Sequence, residues 1–367
     1  MKNVGTNRER ARQLRTLLWS REEARESERY EPAKKSAQRN GDVKTGQDIT
    51  SHLSGPNFAC RRQDSLRSYK YRRDCAFRSC SASCDSAVKM EVDLGKCLEV
   101  AKRLALQAGK VQAGARREGS LSIVSKGGID LVTNIDKQCE KIVFEGLQEA
   151  FPEHNFIGEE SAPDVVLSDA PTWCVDPVDG TTNFIHNFPM FCVSIGLCVG
   201  REPVLGVIFD PSRGELYHAV KGRGAFCQNN PIHVDNASSL NEAVVCTNFG
   251  HSRDPQVVQA GVDAMQALLK GNVRGIRMTG SCCVAMCHVA RGLVSSYYES
   301  DIGGLWDVVA GTVIVTEAGG VVCHPDDGRP TIPLKKGKQR LCCGNQQIVE
   351  VIHQHQYGHS DNSDGSK

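Results

Sequence analysis

Trp173-Cys174-Val175-Asp176-Pro177-Val178-Asp179-Gly180-Thr181-Thr182-Asn183-Phe184 is the stretch on which the reading of this chain turns. An apolar run of strand length, from Thr172 to Val175, breaks into a carboxylate, a proline and a second carboxylate, followed by Gly-Thr-Thr. Pro177 fixes its own φ and biases Asp176 toward extended backbone. Asp176 and Asp179 can then project into one pocket, with the carbonyl of Val178 beside them. Gly180 lets the backbone approach a ligand closely, and if Thr181 opens a helix its free N–H groups make an anion site. The pattern asks for a hard cation next to a phosphate. Asp-Pro and Asp-Gly are also ordinary turn formers, so the stretch needs partners elsewhere. It is not an EF-hand, because the Asp-x-Asp-x-Asp-Gly ladder and the closing Glu are absent.

Three further acidic clusters surround it: Gly158-Glu159-Glu160-Ser161, Trp306-Asp307, and Asp130 to Asp136. Glu159 follows an apolar Phe156-Ile157 step. Asp307 and Asp136 also read as acids in the first turn of a helix, where they complement the helix dipole.

The periodicity outside these clusters alternates between helix and strand. Helices are expected over Leu94 to Arg116, Asn134 to Phe151 (stopped by Pro152), Pro255 to Lys270, Ser281 to Arg291 and Trp306 to Ala318, the last ended by Gly319-Gly320. Short apolar runs read as strands: Phe156-Ile157, Thr172 to Val175, Phe191 to Cys198, Val204 to Phe209, Glu215 to Val220, Ala243 to Thr247, Val273 to Ile276, Val294 to Glu299 and Val321 to Cys323. Several are apolar throughout, as in strands covered on both faces. Sheets interleaved with helices, without internal repeat, indicate a layered α/β (α+β) fold.

At 367 residues and 40% hydrophobic content the chain can build a sizeable core. Charge divides unevenly: residues 1–90 hold 20 Lys+Arg against 11 Asp+Glu, a net of +9, so a total of +1 leaves −8 on the rest. The basic stretch has few branched apolar residues and no sustained periodicity, and is expected to be a disordered extension. An organelle address, suggested by Arg8, Arg10, Arg12 and Arg15 among Leu14, Leu17, Leu18 and Trp19, is the alternative. The catalytic unit is expected over 91–355, in approximate halves 91–235 and 236–355, with a polar tail over 356–367.

Of 17 cysteines, 13 lie beyond Glu91, mostly in apolar runs and without paired C-x-x-C units. They are expected to be reduced thiols in an intracellular, cytoplasmic protein. No run approaches the length of a membrane span, and neither a membrane nor a nucleic-acid partner is expected.

Taken together and in this order, the clusters resemble the inositol monophosphatase family of magnesium-dependent, lithium-sensitive sugar phosphatases. The matching stretches are Asp130-Leu131-Val132-Thr133-Asn134-Ile135-Asp136, Phe156 to Ser161, Trp173 to Phe184, Trp306 to Gly311 running to Glu317-Ala318-Gly319-Gly320, and Lys221-Gly222-Arg223-Gly224-Ala225-Phe226. The resemblance implies a layered α-β-α-β-α sandwich, a homodimer, and hydrolysis of inositol monophosphates with two to three Mg2+ per site. Glu159, Asp176 and the Val178 carbonyl would hold a first ion, and Asp176, Asp179 and Asp307 a second. Glu159 would also help hold a weaker third. Glu159 and Thr181, the latter paired with Asp136, would orient the attacking water, and the Gly180 and Thr181 amides would take phosphate oxygens. Asp179, Gly280, Ser281, Cys282 and Glu299 would meet the polyol, and the ion held by Asp307 the leaving oxygen.

The chain departs from the family pattern between Glu299 and Trp306, where Ser300-Asp301-Ile302-Gly303-Gly304-Leu305 is about one residue longer and lacks a His-Cys before the Trp. Cys282 stands where a smaller residue is common, and Lys126-Gly127-Gly128-Ile129 is slightly shortened. A relative cleaving fructose bisphosphate or a nucleotide 3'-phosphate is the nearest alternative. That alternative needs a basic cluster on the substrate wall, for which Lys270, Arg274 and Arg277 are the candidates. A non-catalytic metal-binding or scaffold protein is the alternative from another class.

Overall fold

Two glycines paired on adjacent strands of one sheet set the distance between the layers of this protein. The computed structural model describes residues 92–118, 121–324 and 339–357. The expected extension over 1–90 lies outside the described residues, as does the expected polar tail over 356–367 apart from Gln356 and Tyr357, which belong to the last helix.

The elements run α1 (Leu94–Glu118), β1 (Ile123–Gly127), β2 (Asp130–Thr133), α2 (Asn134–Ala150), β3 (Asn155–Gly158), β4 (Thr172–Asp179), α3 (Thr181–Ile185), β5 (Cys192–Val199), β6 (Glu202–Asp210), β7 (Glu215–Val220), β8 (Ala225–Cys227) and β9 (Asn230–Pro231). They continue through β10 (Val244–Thr247), α4 (Pro255–Lys270), β11 (Gly275–Arg277), α5 (Cys282–Ala290), β12 (Ser296–Ile302), α6 (Leu305–Glu317), β13 (Val321–Cys323), β14 (Gln339–Gly344) and α7 (Gln346–Tyr357).

Strands β3 to β9 form one sheet in sequence order, antiparallel except for the parallel β3–β4 pair. A second sheet has the order β11-β10-β12-β14-β13, with β10 parallel to both neighbours. β1 and β2 make a separate hairpin.

Alternation along the strands assigns the layers. In β5, Val193, Ile195 and Leu197 turn to a core built with α1 and α2, while Cys192 turns to the other side. Leu205 and Val207 oppose Ile208 in β6, and Leu216 opposes Tyr217 in β7, in the same sense. In the second sheet, Cys246, Tyr297 and Cys343 face α5 and α6, and Val245, Tyr298 and Cys342 face a core shared with α4 and α7. The stacking is therefore helices, sheet, helices, sheet, helices, the expected α-β-α-β-α sandwich.

The central layer explains the glycines. Gly196 of β5 is paired with Gly206 of β6, and a Cβ on Gly206 would lie 2.2 Å from the Ala310 carbonyl oxygen, one on Gly196 2.5 Å from Val309 Cγ1. Bare backbone here lets α6 lie directly on the sheet. Its Val308, Val309, Val313, Ile314 and Val315 are all buried, each worth about 1.5–3 kcal/mol as an upper estimate. The N-terminus of α6 is thereby pinned over the C-terminal end of β4, which brings Asp307 to Asp176 and Asp179.

Candidate active site

The quoted stretch folds as its chemistry suggests. β4 is buried along its whole length, and its pairing with β5 shifts register between Asp176 and Asp179. That irregularity frees the two carboxylates from strict alternation. Gly180 adopts φ +89°, and a Cβ there would meet the Met190 carbonyl oxygen at 2.8 Å. Thr181 opens α3, and the Gly180 carbonyl accepts the first helical bond from the Phe184 N–H at 2.9 Å. The N–H groups of Thr181 to Asn183 precede that bond and have no helical acceptor.

Asp136 and Asp307 occupy equivalent helix positions. Each is the third residue of its helix and accepts from the backbone N–H three residues earlier, Asp136 from Thr133 and Asp307 from Gly304, both at 3.0 Å. Asp136 Oδ2 takes the Thr133 N–H and hydroxyl, and its Oδ1 lies 3.2 Å from the Thr181 hydroxyl. That hydroxyl is also 3.0 Å from the Val178 carbonyl.

Asp176, Asp179 and Asp307 each offer an oxygen within 4.8 Å of the others. All three are buried. Burial, then repulsion from Glu159, Asp179 and Asp307, holds the Asp176 carboxyl well above the ordinary range. Burial followed by Asp179 pushes Asp307 up to about 7. Burial also raises Asp179, against hydrogen bonds from Ser281 and the Cys283 N–H (2.7 Å) that favour its charged form. Glu159 is likewise raised, by burial first, although solvent reaches 22% of its side chain. Its partner is Lys126, 2.7 Å away, which also bonds Glu160 at 2.6 Å. Burial would lower the Lys126 ammonium, but these two carboxylates hold it above its ordinary value.

Such a cluster fits a hard divalent cation. Its donors are carboxylate oxygens and a carbonyl, the set that magnesium prefers. A second grouping, Asp179 with Cys192 and Cys283, has comparable spacing. There the sulfurs serve as donors: Cys192 Sγ points at Asp179 Oδ2 at 3.7 Å and Cys283 Sγ at the Asp307 carbonyl at 3.1 Å. Burial keeps both thiols far above their ordinary values, hence protonated.

A cavity of about 650 Å³ opens above these groups. Glu159, Asp176, Val178, Asp179, Gly180, Thr181 and Asp307 line its floor, and Gly280, Cys282 and Glu299 line its wall. Ser281, expected to meet substrate, is buried behind Asp179 with its hydroxyl donating to Oδ2, and is not among the lining residues. Asp136 also stands behind the lining, reaching it through Thr181. Lys126, Asn248, Arg253 and Asp301 line the cavity as well; Lys126 and Asp301 stand in stretches that depart from the family pattern, but none of the four is read from the sequence as a site residue. Lys126 sits on β1, whose residues are all exposed and carry no apolar alternation. Lys270, Arg274 and Arg277, the candidates for a basic wall, are not among the lining residues; Arg274 Nε instead bonds the Asn241 carbonyl at 2.9 Å.

Comparison with known proteins agrees with this geometry. Residues 93–360 match the model of the inositol monophosphatase family. The chain is 42% identical over 266 residues to inositol monophosphatase 1 of Solanum lycopersicum, covering 72% of this chain and 94% of that protein. It is 38% identical over 257 residues to human inositol monophosphatase 1, covering 69% and 91%. Among solved structures, the inositol monophosphatase of Anabaena (Nostoc) sp. PCC 7120 superposes with a TM-score of 0.61 at 34% identity, covering 72% of this chain and 96% of that one.

Proposed function

The chain belongs to the inositol monophosphatase family, and on that premise we propose that it is a magnesium-dependent phosphomonoesterase releasing myo-inositol and phosphate from inositol monophosphates. The observation that carries the reading is the trio Asp176, Asp179 and Asp307, buried like charges with oxygens within 4.8 Å of one another on the floor of a 650 Å³ cavity. Buried carboxylates at that spacing are costly without a compensating cation.

Glu159, Asp176, Asp179, Asp307 and the Val178 carbonyl would hold two to three Mg2+. Such ions neutralise the phosphate dianion and lower the pKa of a bound water. The chain's own groups do the rest. The Thr181 hydroxyl has one proton, given to Asp136 or to the Val178 carbonyl, so its lone pairs remain to orient a water. Asp136, raised by burial against its Thr133 hydrogen bonds, suits acceptance of a proton passed through Thr181. Glu159, on the same cavity floor, orients the same water. The amides of Gly180 and Thr181 take phosphate oxygens, and Asp179, Gly280, Cys282 and Glu299 meet the ring hydroxyls, with Ser281 acting through Asp179.

A second phosphate on the substrate is disfavoured. Of the described lining residues only Lys126 and Arg253 carry fixed cations; Lys126 is paired, and Arg253 Nη1 donates to the Gly250 and Ser252 carbonyls at 3.2 and 2.8 Å. We also propose a homodimer, by family resemblance. A cytoplasmic location is supported by the described cysteines, all free and buried. Among the described residues no helix is long and apolar enough to cross a membrane.

A substrate panel tests the proposal. With Mg2+, phosphate release from myo-inositol 1-phosphate is expected to exceed that from fructose 1,6-bisphosphate and adenosine 3',5'-bisphosphate by tenfold or more. Preference for either bisphosphate would contradict it.

A further inference from the structure

The alcohol-facing wall is assembled where β10 ends beside the middle of its parallel neighbour β12. β10 and β12 pair with Thr247 opposite Tyr298, so the next residues, Asn248 and Glu299, emerge side by side. Asn248 Nδ2 lies 3.1 Å from Glu299 Oε2 and 3.4 Å from the Tyr297 hydroxyl, and its Oδ1 accepts the Gly280 N–H at 2.8 Å. An amide between an N–H donor and a carboxylate satisfies both in one orientation only.

Asn248 therefore ties together the two wall elements, Glu299 and the turn at Gly280, which come from distant parts of the chain. Gly280 is in the left-handed region at φ +71°, held on its other side by Asn183, whose Nδ2 donates to the Thr279 carbonyl at 2.7 Å. The Tyr297 hydroxyl also donates to Glu299 Oε2. Both donors fall on one carboxylate oxygen, and Oε1 remains the acceptor for a ring hydroxyl.

We infer that Asn248 is a specificity-determining positioning residue: by fixing Glu299 and Gly280 relative to each other, it makes the wall select a polyhydroxylated leaving group. The inference rests on the polyol phosphatase reading above. A hydrogen bond to a buried carboxylate is set by its donor, and losing that donor leaves the acceptor misplaced and under-bonded. Asn248→Asp is the sharper probe than Asn248→Ala, because it keeps the shape and the bond to Gly280 while turning a carboxylate toward Glu299.

The test compares wild type, Asn248→Ala, Asn248→Asp, Glu299→Gln and the double variant Asn248→Ala/Glu299→Gln. Substrates are myo-inositol 1-phosphate and p-nitrophenyl phosphate, an ester without ring hydroxyls, at saturating Mg2+. Asn248→Ala is expected to raise KM for the inositol ester about tenfold, with kcat changed less than about threefold, and to lower the inositol-to-aryl ratio of kcat/KM correspondingly. Asn248→Asp should lose more. In the Glu299→Gln background Asn248→Ala should cost less than about threefold further, because the two act as one unit. Equal losses on both esters, a loss confined to kcat, or fully multiplicative effects in the double variant would overturn the inference. If Asn248→Ala does not fold, Asn248→Asp carries the same comparison. A wild type that prefers the aryl ester would overturn the polyol reading and this inference together; a selective wild type whose variants stay selective would overturn the inference alone.

Discussion

The floor of the cavity and the wall around Glu299 both hold buried carboxylates and yet are differently completed. On the floor, Asp176, Asp179 and Asp307 face one another, and the only nearby ammonium among the lining residues, Lys126, is bound to Glu159 and Glu160. On the wall, Glu299 is pushed up to about 7 by burial, yet Tyr297 and Asn248 supply hydrogen bonds that favour its charge. The floor calls for charge from outside the chain, whereas the wall is satisfied by its own neighbours. Substitutions on the floor should therefore act through cation binding, and those on the wall through the choice of alcohol.

The largest effect is expected from Asp307→Asn. Removing one floor carboxylate should lower phosphate release roughly 10³-fold. It should also raise the melting temperature in chelator, because one buried like charge is gone, and shrink the further rise on adding Mg2+. A variant that melts lower in chelator would break the contrast between floor and wall.

Next in size is a control at the far end of the helix that supports Asp179. His288 closes α5, and burial followed by Arg213 pushes it down to about 4. The folded protein keeps it neutral while the unfolded chain takes up a proton below about 6.5. Its contribution is complete above that value and is lost as pH falls toward 4, by about 3 kcal/mol. Denaturant melts across pH 4 to 7 should show this loss, and His288→Gln should reduce it without changing activity at neutral pH.

Smaller still is the effect of Gly206→Ala. The added methyl must displace Ala310, so stability should fall by about 1–3 kcal/mol. Because α6 carries Asp307, kcat should fall as well, and the fall should exceed that for Gly114→Ala, inside helix α1, where a Cβ meets nothing within 4 Å. Denaturation midpoints and initial rates on the same samples check both.

The two regions also differ in how far the amino-acid sequence reveals them. The floor is legible because each of its acidic residues lies in a local cluster with turn or cap chemistry: Asp-Pro-Val-Asp-Gly-Thr, Gly-Glu-Glu-Ser, Trp-Asp. Most helices were legible too, and Pro255–Lys270 matches residue for residue. The wall is not local. Asn248 reaches Glu299 only because β10 and β12 are parallel neighbours in a particular register, and nothing adjacent to Asn248 signals that. The family resemblance places Ser281 among the polyol contacts, whereas its setting as the N-cap of α5, accepting from the Val284 N–H and donating to Asp179, emerges only from the fold. The strand bearing Lys126 is exposed throughout and carries no apolar alternation, so the shortened Lys126-Gly127-Gly128-Ile129 stretch gives no sign of a hairpin, and the Gly196–Gly206 pair has meaning only once α6 lies over it.

The central claim is that Asp176 to Thr181 is one device whose carboxylates hold the cation that activates hydrolysis. Phosphate release from myo-inositol 1-phosphate by wild type and Asp179→Asn, each measured with chelator and across a Mg2+ titration, tests it most directly. The account predicts that wild-type turnover disappears in chelator and returns with Mg2+, while Asp179→Asn stays roughly 10³-fold lower at every Mg2+ concentration. Equal rates for the two proteins, or wild-type turnover indifferent to chelator, would contradict it.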